Sequence, residues 1–575
     1  MTLRERIVLA VGLVLLVVVG SAMAVTAAPP SGSGLSPGAA LSPDEQLVVR
    51  EGLVGPVETL NPLFARTRAE LDISALLFRG LTRLGPGGSP APDLAESWSV
   101  SPDGRAYTFQ LRRDVVWHDG TPFTADDVVY TVLTLQHPDY RGPLAGRWQG
   151  VAAERLGDHV VRLTLPSADA TFLASAPQPI LPAHILSTIP VAQIRSSAFD
   201  RSPIGTGPFR LVSIDESGAR LERFVPALVE ESASRTLPPL PLDPLAWGRA
   251  STTERGVDAF AFTFYPSNAA VAAAFAADDI DAAGGLGADD ARRLAAEPGV
   301  RILRYPRTVL TGVLLNLRFG RTLLRSADER RALLLAIDRD AIVRDVLGGM
   351  GSRADSLVPP TSWAFDQKAA GRVPFSRPQA VKDLRAAGWR RTDSRWDRPG
   401  VDGAVSLELV TVDEATNPVA YAVAERVAAY WETLGLEVRL QPLPVQDLVS
   451  DKLVPGSFDA AVVDLNMGVD PDIYPLLASS QAVDGGSNIS GYQSAALDPL
   501  LEKARLPASA GVRKERMAAL QAALAKELPI LPLVYADYVY VVRDTVHGPR
   551  PREIAEPSDR FWDVLTWRVA ERAGP

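Results

Sequence analysis

Hydrophobic and polar positions divide the chain into an apolar leader, a polar spacer and a long folded part. Residues 7–19 carry no charge, follow Arg4 and Arg6, and lead into a small-residue cleavage pattern. This order predicts an export signal over residues 1–28. Because residues 7–28 also match the length of a membrane-spanning helix, uncleaved anchoring at the membrane stays open as an alternative.

The spacer over residues 29–45 consists largely of Pro, Gly, Ser and Ala. Such a segment buries too little apolar surface to offset the entropy of ordering. We therefore expect a flexible linker there and a folded part that begins at residue 46.

The start of the folded part shows both strand and helix spacing. Residues 46–53 are β-rich, residues 73–84 carry apolar side chains at helical spacing, and residues 107–111 alternate as a half-buried strand. Thr124 and Asp127 stand three positions apart before an apolar run. This spacing predicts the N-cap of a helix.

Later segments repeat a helix followed by a strand. Amphipathic helices are predicted at residues 328–347 and 418–434, and a third at residues 513–528. Strands are predicted at residues 436–440 and 530–542. This alternation is typical of a mixed α/β fold built around open sheets.

Length and composition limit the class of protein. At 575 residues the chain is several times the usual size of one domain, which is about 100–150 residues, so we expect more than one core. A hydrophobic fraction of 46% and a charged fraction of 22% are typical of a soluble globular protein. The net charge of −9 gives no basic stripe, and we expect no nucleic acid partner.

Residue chemistry gives little support for a metal, a cofactor or a cysteine nucleophile. The chain has no cysteine, which excludes disulfides and thiolate ligands. Its five histidines lack metal-ligand spacing, and no nucleotide-binding loop is present. We therefore predict no metal site and no cofactor.

Seven segments in consistent order over residues 47–533 carry a resemblance to a known family. They are Leu60-Asn61-Pro62, Leu77-Phe78-Arg79-Gly80-Leu81, the runs 92–98 and 117–128, Pro203-Ile204-Gly205-Thr206-Gly207-Pro208-Phe209, Ala336-Ile337-Asp338-Arg339 and Asn488-Ile489-Ser490-Gly491-Tyr492. With these segments the chain resembles the extracellular solute-binding family 5, the peptide, dipeptide and nickel-binding proteins of ABC importers. Within them, Asp338 and Arg339 are interpreted as an ion pair on a helix surface, with no role in binding.

The resemblance implies an α/β fold that is bilobal and like that of periplasmic binding proteins. It has two mixed-sheet lobes, an extra subdomain in the first lobe and a two-segment hinge. The implied divisions are a first lobe at 46–305 with the extra subdomain at about 66–200, a second lobe at 306–529, and a return to the first lobe at 530–575. The chain is expected to cross between lobes near residues 304–316 and 530–540.

The same resemblance implies a function in transport. The chain is expected to be the extracytoplasmic substrate-binding component of an ABC importer, in the periplasm or at the cell surface. As a monomer, it would capture a peptide-like solute between its lobes and deliver it to the permease subunits. No chemistry on the ligand is expected, so it would not be an enzyme.

In similar proteins an extended peptide lies between two backbone edges, so that main-chain pairing supplies affinity. The edges fall at Arg66-Thr67-Arg68 and at Asp464-Leu465-Asn466-Met467, and the late loop adds Asn488. These eight residues are the predicted ligand-binding site. An ordinary solvated loop is the alternative for Arg66 and Arg68.

One position departs from the family pattern. Peptide binders commonly place an acid three residues before the Asp-Pro-Asp at 470–472, where it pairs with the free amino group of the ligand; here Met467 stands at that position. A thioether cannot offset the desolvation of a buried ammonium. Asp464 is a candidate substitute, and haem-like or chelated ligands stay open.

Two other functions are weighed against transport. A membrane-anchored sensory or scaffold ectodomain would keep the binding fold and the leader helix without importer partners. A secreted hydrolase would need a catalytic triad or a carboxylate pair converging in the cleft.

Overall fold

A computed structural model describes residues 46–85, 88–225, 256–320, 323–392, 395–398 and 405–570. The predicted leader and linker lie outside these ranges. Among the helices of the described ranges, none combines the length and the apolarity needed to cross a bilayer.

The first part of the chain begins with a strand and a helix and then forms a small sheet. Its strands are β1 (Val48–Val54), β2 (Thr82–Leu84), β3 (Pro90–Pro92), β4 (Ala95–Val100), β5 (Ala106–Leu111), β6 (Ala152–Gly157), β7 (Val160–Thr164), β8 (Phe209–Ile214) and β9 (Gly218–Arg223). Its helices are α1 (Arg68–Leu77), α2 (Ala125–Gln136), α3 (Ala145–Trp148) and α4 (Ala183–Leu186), with 3-10 turns at Phe172–Ser175, Val191–Ser196 and Ala198–Asp200.

The middle part contains the first of two long strands. Its strands are β10 (Ala259–Tyr265), β11 (Ala282–Gly284), β12 (Val300–Leu315), β13 (Gly351–Arg353), β14 (Arg390–Thr392) and β15 (Arg395–Asp397). Its helices are α5 (Asn268–Ala276), α6 (Ala288–Ala295), α7 (Ala327–Leu335), α8 (Arg339–Asp345), α9 (Gln367–Ala370) and α10 (Arg377–Ala386).

The last part contains the second long strand and the C-terminal turns. Its strands are β16 (Ser406–Val412), β17 (Glu437–Leu443), β18 (Ala460–Asn466), β19 (Ile530–Arg543), β20 (Val546–His547) and β21 (Arg568–Val569). Its helices are α11 (Pro418–Leu434), α12 (Val445–Asp447), α13 (Tyr474–Leu477), α14 (Asp498–Arg505) and α15 (Ala510–Glu527), with a π-helical turn at Leu448–Leu453 and 3-10 turns at Ser479–Gln481 and Pro557–Thr566.

An eleven-stranded sheet connects both ends of the described chain. Its order is β17-β16-β18-β12-β19-β11-β1-β10-β9-β8, with β13 paired to β19. Strand β1 is parallel to β10 and β11, and β16 is parallel to β17 and β18, whereas β12 and β19 are antiparallel to each other. A separate antiparallel sheet has the order β4-β5-β7-β6.

The two long strands each contribute to more than one core. Tyr305 and Tyr540 lie in the core that includes β1 and α1, whereas Leu310 and Ile530 lie in a core that includes the buried face of β18. Between these positions the register of β12 with β19 shifts, from Pro306 to Leu310. Irregularities of this kind bend a strand, and here the bend lies where the sheet passes from one core to the next.

Local capping signals position several helices. The carboxylate of Asp127 accepts a hydrogen bond from the Thr124 backbone N at 2.9 Å, as the predicted N-cap of α2 requires. Helix α11 has the predicted bounds: the Asn417 side chain caps its first turn, and Gly435, with a φ of +105°, ends it. A left-handed residue that follows the last turn favours glycine because it has no Cβ.

The single helix predicted at residues 328–347 is wrong. The structure has two helices there, α7 and α8, separated at residues 336–338. Asp338 Oδ1 accepts a hydrogen bond from Ala341 N at 2.9 Å. A residue that caps a new first turn in this way ends the preceding helix, because its own backbone is not helical.

The surface ion pair predicted for Asp338 and Arg339 is also wrong. Arg339 is only 2% exposed, and its guanidinium donates to the carbonyl oxygens of Ala354, Val373 and Pro532. Desolvation lowers the pKa of Arg339 to about 10. The side chain therefore acts as a buried connector between the segment after β13 and strand β19.

A buried ion network attaches the C-terminal turns to the first core. Arg560 Nη1 donates to Asp72 Oδ1 at 2.7 Å, and Arg560 Nη2 donates to Glu51 Oε1 at 2.6 Å. Tyr540 OH donates to Glu51 Oε2 at 3.0 Å. Arg68 supplies the second cation, with Nε 3.3 Å from Asp72 Oδ2. Two guanidinium groups thus face two carboxylates; Arg560, Glu51 and Asp72 are fully buried, and the Arg68 side chain is 11% exposed.

We expect Arg560→Leu to lower the free energy of unfolding by about 3–5 kcal/mol, because it leaves two buried carboxylates with one cation. Chemical denaturation measures the change. Arg344→Leu is the matched control, since Arg344 is exposed and pairs with exposed Asp345, and such pairs contribute little. Equal unfolding midpoints for the two variants would contradict this assignment.

Candidate functional site

The end of β18 presents a backbone edge that continues past its neighbour. On one side, Leu465 and Asn466 are paired with β12, and Met467 N donates to Thr308 O at 3.0 Å. On the other side, β16 pairs with β18 only from Ala460 to Val462. The predicted stretch from Asp464 therefore continues past the last residue of β18 that pairs with β16. An edge of this kind can pair with another extended segment through its backbone.

The polar side chains of this stretch are engaged with their surroundings. Asp464 Oδ1 accepts from Thr311 Oγ1 at 2.6 Å, and its Oδ2 accepts from Asn417 Nδ2 at 2.9 Å. Asn466 Oδ1 accepts from Thr308 Oγ1 at 2.8 Å. The Asp464 carboxylate is thus already used to hold β12 and the start of α11.

The apolar side chains of the same stretch point away from this polar side. Leu465 and Met467 are buried in the second core, together with Leu310. Alternation along the strand explains this, because successive side chains point to opposite faces. The Met467 side chain is therefore part of a hydrophobic core.

The other predicted edge begins a helix. Thr67 caps α1 in a capping box with Glu70, and the Glu70 carboxylate accepts from the backbone N of Arg66 at 2.8 Å and of Thr67 at 2.9 Å. Arg66 is exposed, whereas the guanidinium of Arg68 donates to Gly284 O. Two of the three backbone donors of this segment are thus already bonded to the Glu70 side chain in the first turn of α1.

Segment 553–556 lies beside β12 and the end of β18. Ile554 N donates to Pro306 O at 2.9 Å, and Thr308 N donates to Ile554 O at 3.0 Å, so the segment fills the irregularity of β12. At one end Glu553 contacts the Thr361 hydroxyl. The segment therefore links the surroundings of β18 to the first core, which the chain reaches at Arg560 a few residues later.

Glu556 connects this segment directly to the end of β18. Asn466 Nδ2 donates to Glu556 Oε1 at 3.3 Å. Burial raises the pKa of Glu556 to about 8; Asp559 and Asp72 add to this shift, and Arg307 opposes it. The carboxyl group is therefore mainly protonated at neutral pH.

Arg505 connects the extra subdomain to α14 of the second part. Arg505 Nη2 lies 2.9 Å from Asp169 Oδ2, and Ala170 N donates to Arg505 O at 2.8 Å. Arg505 Nε also lies 3.3 Å from Asp472 Oδ2. This cluster joins elements that are more than 300 residues apart in the chain.

The Asp-Pro-Asp at 470–472 is partnered by arginines. Arg513 Nη2 donates to Asp470 Oδ1 at 2.8 Å, and its guanidinium lies over the ring of Trp363, 4.7 Å from the centroid. Asp472 is held by Arg505. Both carboxylates of the motif therefore serve to position arginine side chains.

Asn488 supports its own loop. Its Nδ2 donates to Ala478 O and Tyr492 O, and its Oδ1 accepts from Ser490 Oγ. The residue is 4% exposed. The structure thus places the edge around Asp464 beside segment 553–556, and the Asn488 side chain is engaged within its own loop.

Possible metal ligands do not converge in the described ranges. No three His, Cys, Asp or Glu side chains there come together in an arrangement that could hold a metal ion. The chemistry around the edge is instead that of hydrogen-bonding amides, hydroxyls and carboxyl groups.

Comparison with known proteins identifies the family. A family model described as bacterial extracellular solute-binding proteins, family 5, middle, matches residues 89–487. The chain belongs to this family. The predicted family is thus confirmed, and family 5 members are solute-binding proteins.

Relatives resemble this family 5 protein over most of its length. It is 25% identical to the oligopeptide-binding protein AppA of Bacillus subtilis, with 90% of this chain and 91% of that relative covered. It is 26% identical to the di/tripeptide-binding protein 1 of Pseudomonas aeruginosa, covering 85% of this chain and 89% of that relative.

A solved structure supports the fold. The structure of AppA from Bacillus subtilis in complex with a nonapeptide superimposes with a TM-score of 0.69 at 25% identity, covering 92% of this chain and 100% of that one. The predicted fold class, α/β with the bilobal architecture of periplasmic binding proteins, is confirmed. The long strands β12 and β19 additionally join the sheets of both halves into one.

Sequence reasoning missed segment 553–556 and Arg560. Glu553 and Glu556 stand in a stretch rich in charge and proline, which is typical of an exposed tail. Their burial follows from pairing with β12 and from the partners of Arg560, which lie near the start of the fold. No local sequence pattern indicates that these residues are buried.

We expect Asp169→Asn in this family 5 protein to shift the population toward forms in which the extra subdomain and α14 are apart. The reason is that the ion pair with Arg505 is lost; a partly exposed pair contributes up to about 1 kcal/mol, so the shift is up to about fivefold. Small-angle scattering or a fluorescence distance across these elements measures it. Asp158→Asn, at an exposed pair with Arg155, is the control. A distance that responds equally to both variants argues against the contact.

We expect the unfolding free energy of the ligand-free protein to fall, relative to that of Glu556→Gln, as pH rises from about 5 to about 8. The folded-state pKa of Glu556 lies above its unfolded value of about 4.3, so the stabilisation is present below that value and is lost as pH rises through 8. Denaturation at several pH values measures this slope. The control variant Glu515→Gln, at an exposed residue, should keep the pH dependence of the wild type. If Glu556→Gln also keeps the wild-type pH dependence of the unfolding free energy, the raised pKa of Glu556 is refuted.

Proposed function

We propose that this chain captures a peptide-like solute outside the cytoplasm and delivers it to the permease subunits of an ABC importer. The observation that carries the proposal is the unpaired edge at the end of β18. It occurs in a chain that superimposes over 92% of its length on a protein solved with a nonapeptide. Main-chain pairing along such an edge binds peptides without strong selection of side chains.

The proposed movement is closure of two lobes around the solute. Residues 46–305 and 530–575 form the first lobe, with the extra subdomain at about 66–200, and residues 306–529 form the second. The register shift in β12, near Pro306 and Leu310, and the adjoining part of β19 are the flexible crossings. Contacts such as Arg505 with Asp169 hold the closed form.

Closure matters because it removes water from around the solute. Hydrogen bonds and charge pairs are stronger in the resulting low-dielectric space. A closed monomer presents one continuous surface, which the permease can distinguish from the open form. The solute is released unchanged, so the chain acts as a binding protein and not as an enzyme.

The predicted binding residues take different roles in this proposal. The backbone of Asp464 to Met467 supplies the peptide edge, and Arg66 to Arg68 lie on the first lobe, where they fix the start of α1. Asn488 holds a loop of the second lobe. An export signal at residues 1–28 places the protein outside the cytoplasm.

We expect randomised peptides of two to nine residues to raise the melting temperature, because a ligand that binds only the folded form stabilises it. The gain is about 2.7 kcal/mol at a hundredfold excess over Kd. Differential scanning calorimetry measures the shift, with a glycoside pool as the matched control. Mass spectrometry of the recovered peptides should show them intact. No shift with any peptide would refute the proposed ligand class, and cleaved peptides would favour a hydrolase.

A further inference from the structure

We propose that the extra subdomain of the first lobe is a latch, which holds the two lobes together without the solute and thereby delays release of the solute. This inference rests on the proposed function and adds control of release to it. Three segments of the subdomain contact the second lobe, at Val469, Arg505 and Pro507. The eight predicted binding residues take no part in these three contacts, so the latch lies outside the predicted site.

One contact of the latch combines an ion pair with a backbone hydrogen bond. Arg505 Nη2 lies 2.9 Å from Asp169 Oδ2, and Ala170 N donates to Arg505 O at 2.8 Å. The subdomain thus binds Arg505 through both its side chain and its backbone. The side chains of Asp169 and Arg505 are 23% and 30% exposed. Because dissolved ions screen a pair of this kind, the latch should weaken as the salt concentration rises.

Asp169 is held in position by contacts within its own subdomain. Its Oδ1 accepts hydrogen bonds from Thr171 N at 2.9 Å and from Thr171 Oγ1 at 2.8 Å. Tyr107 OH donates to the Asp169 backbone O at 2.8 Å. These bonds fix the backbone and one carboxylate oxygen of Asp169, and they orient the other oxygen toward Arg505.

Arg505 is held in the same way by residues of the second lobe. Its Nε lies 3.3 Å from Asp472 Oδ2, and its guanidinium lies over the ring of Tyr474, 4.8 Å from the centroid. These contacts lie within one lobe, so separation of the lobes leaves them intact. Because both partners are oriented before they meet, the latch forms with little loss of side-chain entropy.

The other two contacts of the latch are close approaches of glycine backbone. Gly104 lies between β4 and β5 with a φ of +71°, and a Cβ atom at this residue would overlap the ring of Pro507. Gly88 precedes β3 with a φ of +78°, and a Cβ atom there would lie 2.8 Å from Val469 O. A side chain at either glycine would push the subdomain away from the second lobe. The two surfaces therefore match in shape as well as in charge.

The latch acts on release of the solute more than on its capture. A solute enters the open form, in which the latch is already apart, whereas it leaves only after the latch has broken. Weakening the latch should therefore raise the dissociation rate constant and leave the association rate constant nearly unchanged, the usual pattern among variants of one interface. It should also lower the closed fraction of the ligand-free protein, because the latch needs no solute.

The first test measures closure of the ligand-free protein by single-molecule fluorescence energy transfer. The chain has no cysteine, so Ala192→Cys in the subdomain and Ala429→Cys in α11, both at exposed residues, provide the two labelling sites. Gly104→Ala should lower the ratio of closed to open molecules at least about fivefold, because the added methyl group overpacks the contact. Gly120→Ala is the matched control: Gly120 has a φ of +88° in the same subdomain, and a Cβ atom there meets nothing within 4 Å. Alanine carries similar backbone strain at both positions.

The same assay tests the charged contact. Arg505→Gln should lower the closed-to-open ratio by up to about fivefold, the contribution of a partly exposed ion pair. Raising the salt concentration from about 0.1 M to about 1 M should lower the ratio in the wild type and change it little in Arg505→Gln. Arg155→Gln, which loses an ion pair with Asp158 inside the subdomain, should behave like the wild type. Equal closed-to-open ratios in each variant and its control overturn the inference.

The second test measures release of the randomised peptides of two to nine residues. Labelled protein loaded with this pool is diluted into peptide-free buffer, and the fall in energy transfer gives the release rate. We expect Arg505→Gln and Gly104→Ala to release the pool about three- to fivefold faster than their controls. Equal release rates overturn the inference and leave peptide capture intact. If the pool does not bind, the proposed function fails, and the measurement on the ligand-free protein still decides whether the latch exists.

Discussion

The pairing of Arg560 with Glu51 and Asp72 is the constraint on which the arrangement of this protein depends. All three side chains are fully buried, so each charge requires the others. Arg560 lies in the last turns of the chain, whereas the two acids lie on its first strand and first helix. The turns around Arg560 are thereby held against β1 and α1, and the strand before them must return to the first core.

Several features of the site follow from this return. Between β19 and Arg560 the chain passes beside β12, where Ile554 N donates to Pro306 O and Ile554 O accepts from Thr308 N. Glu553 and Glu556 are consequently brought beside the second core. Three separate parts of the chain, β12, the end of β18 and segment 553–556, thus meet at one place.

Local sequence patterns predicted some elements well and others poorly, for identifiable reasons. Helix α11 has the predicted bounds because its apolar stripe, its Asn417 cap and Gly435 are all local signals. The helix expected at 328–347 is divided because Asp338 caps a new turn, although apolar periodicity continues across it. Arg339 was expected at the surface, yet its guanidinium is buried and donates to three backbone carbonyl oxygens from separate segments.

The amino-acid sequence by itself determined the family and the α/β class, because motifs and hydrophobic periods act over short distances. Its assignment of the stretch at 464–467 to ligand binding stays a prediction. Only the tertiary structure decided which polar side chains are buried and what they contact. Arg560 and Glu51 are 509 positions apart. Met467 points into the second core because side chains alternate along β18 and the strand is paired with β12. Burial and hydrogen-bond partners depend on contacts between distant segments, and no local pattern of residues specifies those contacts.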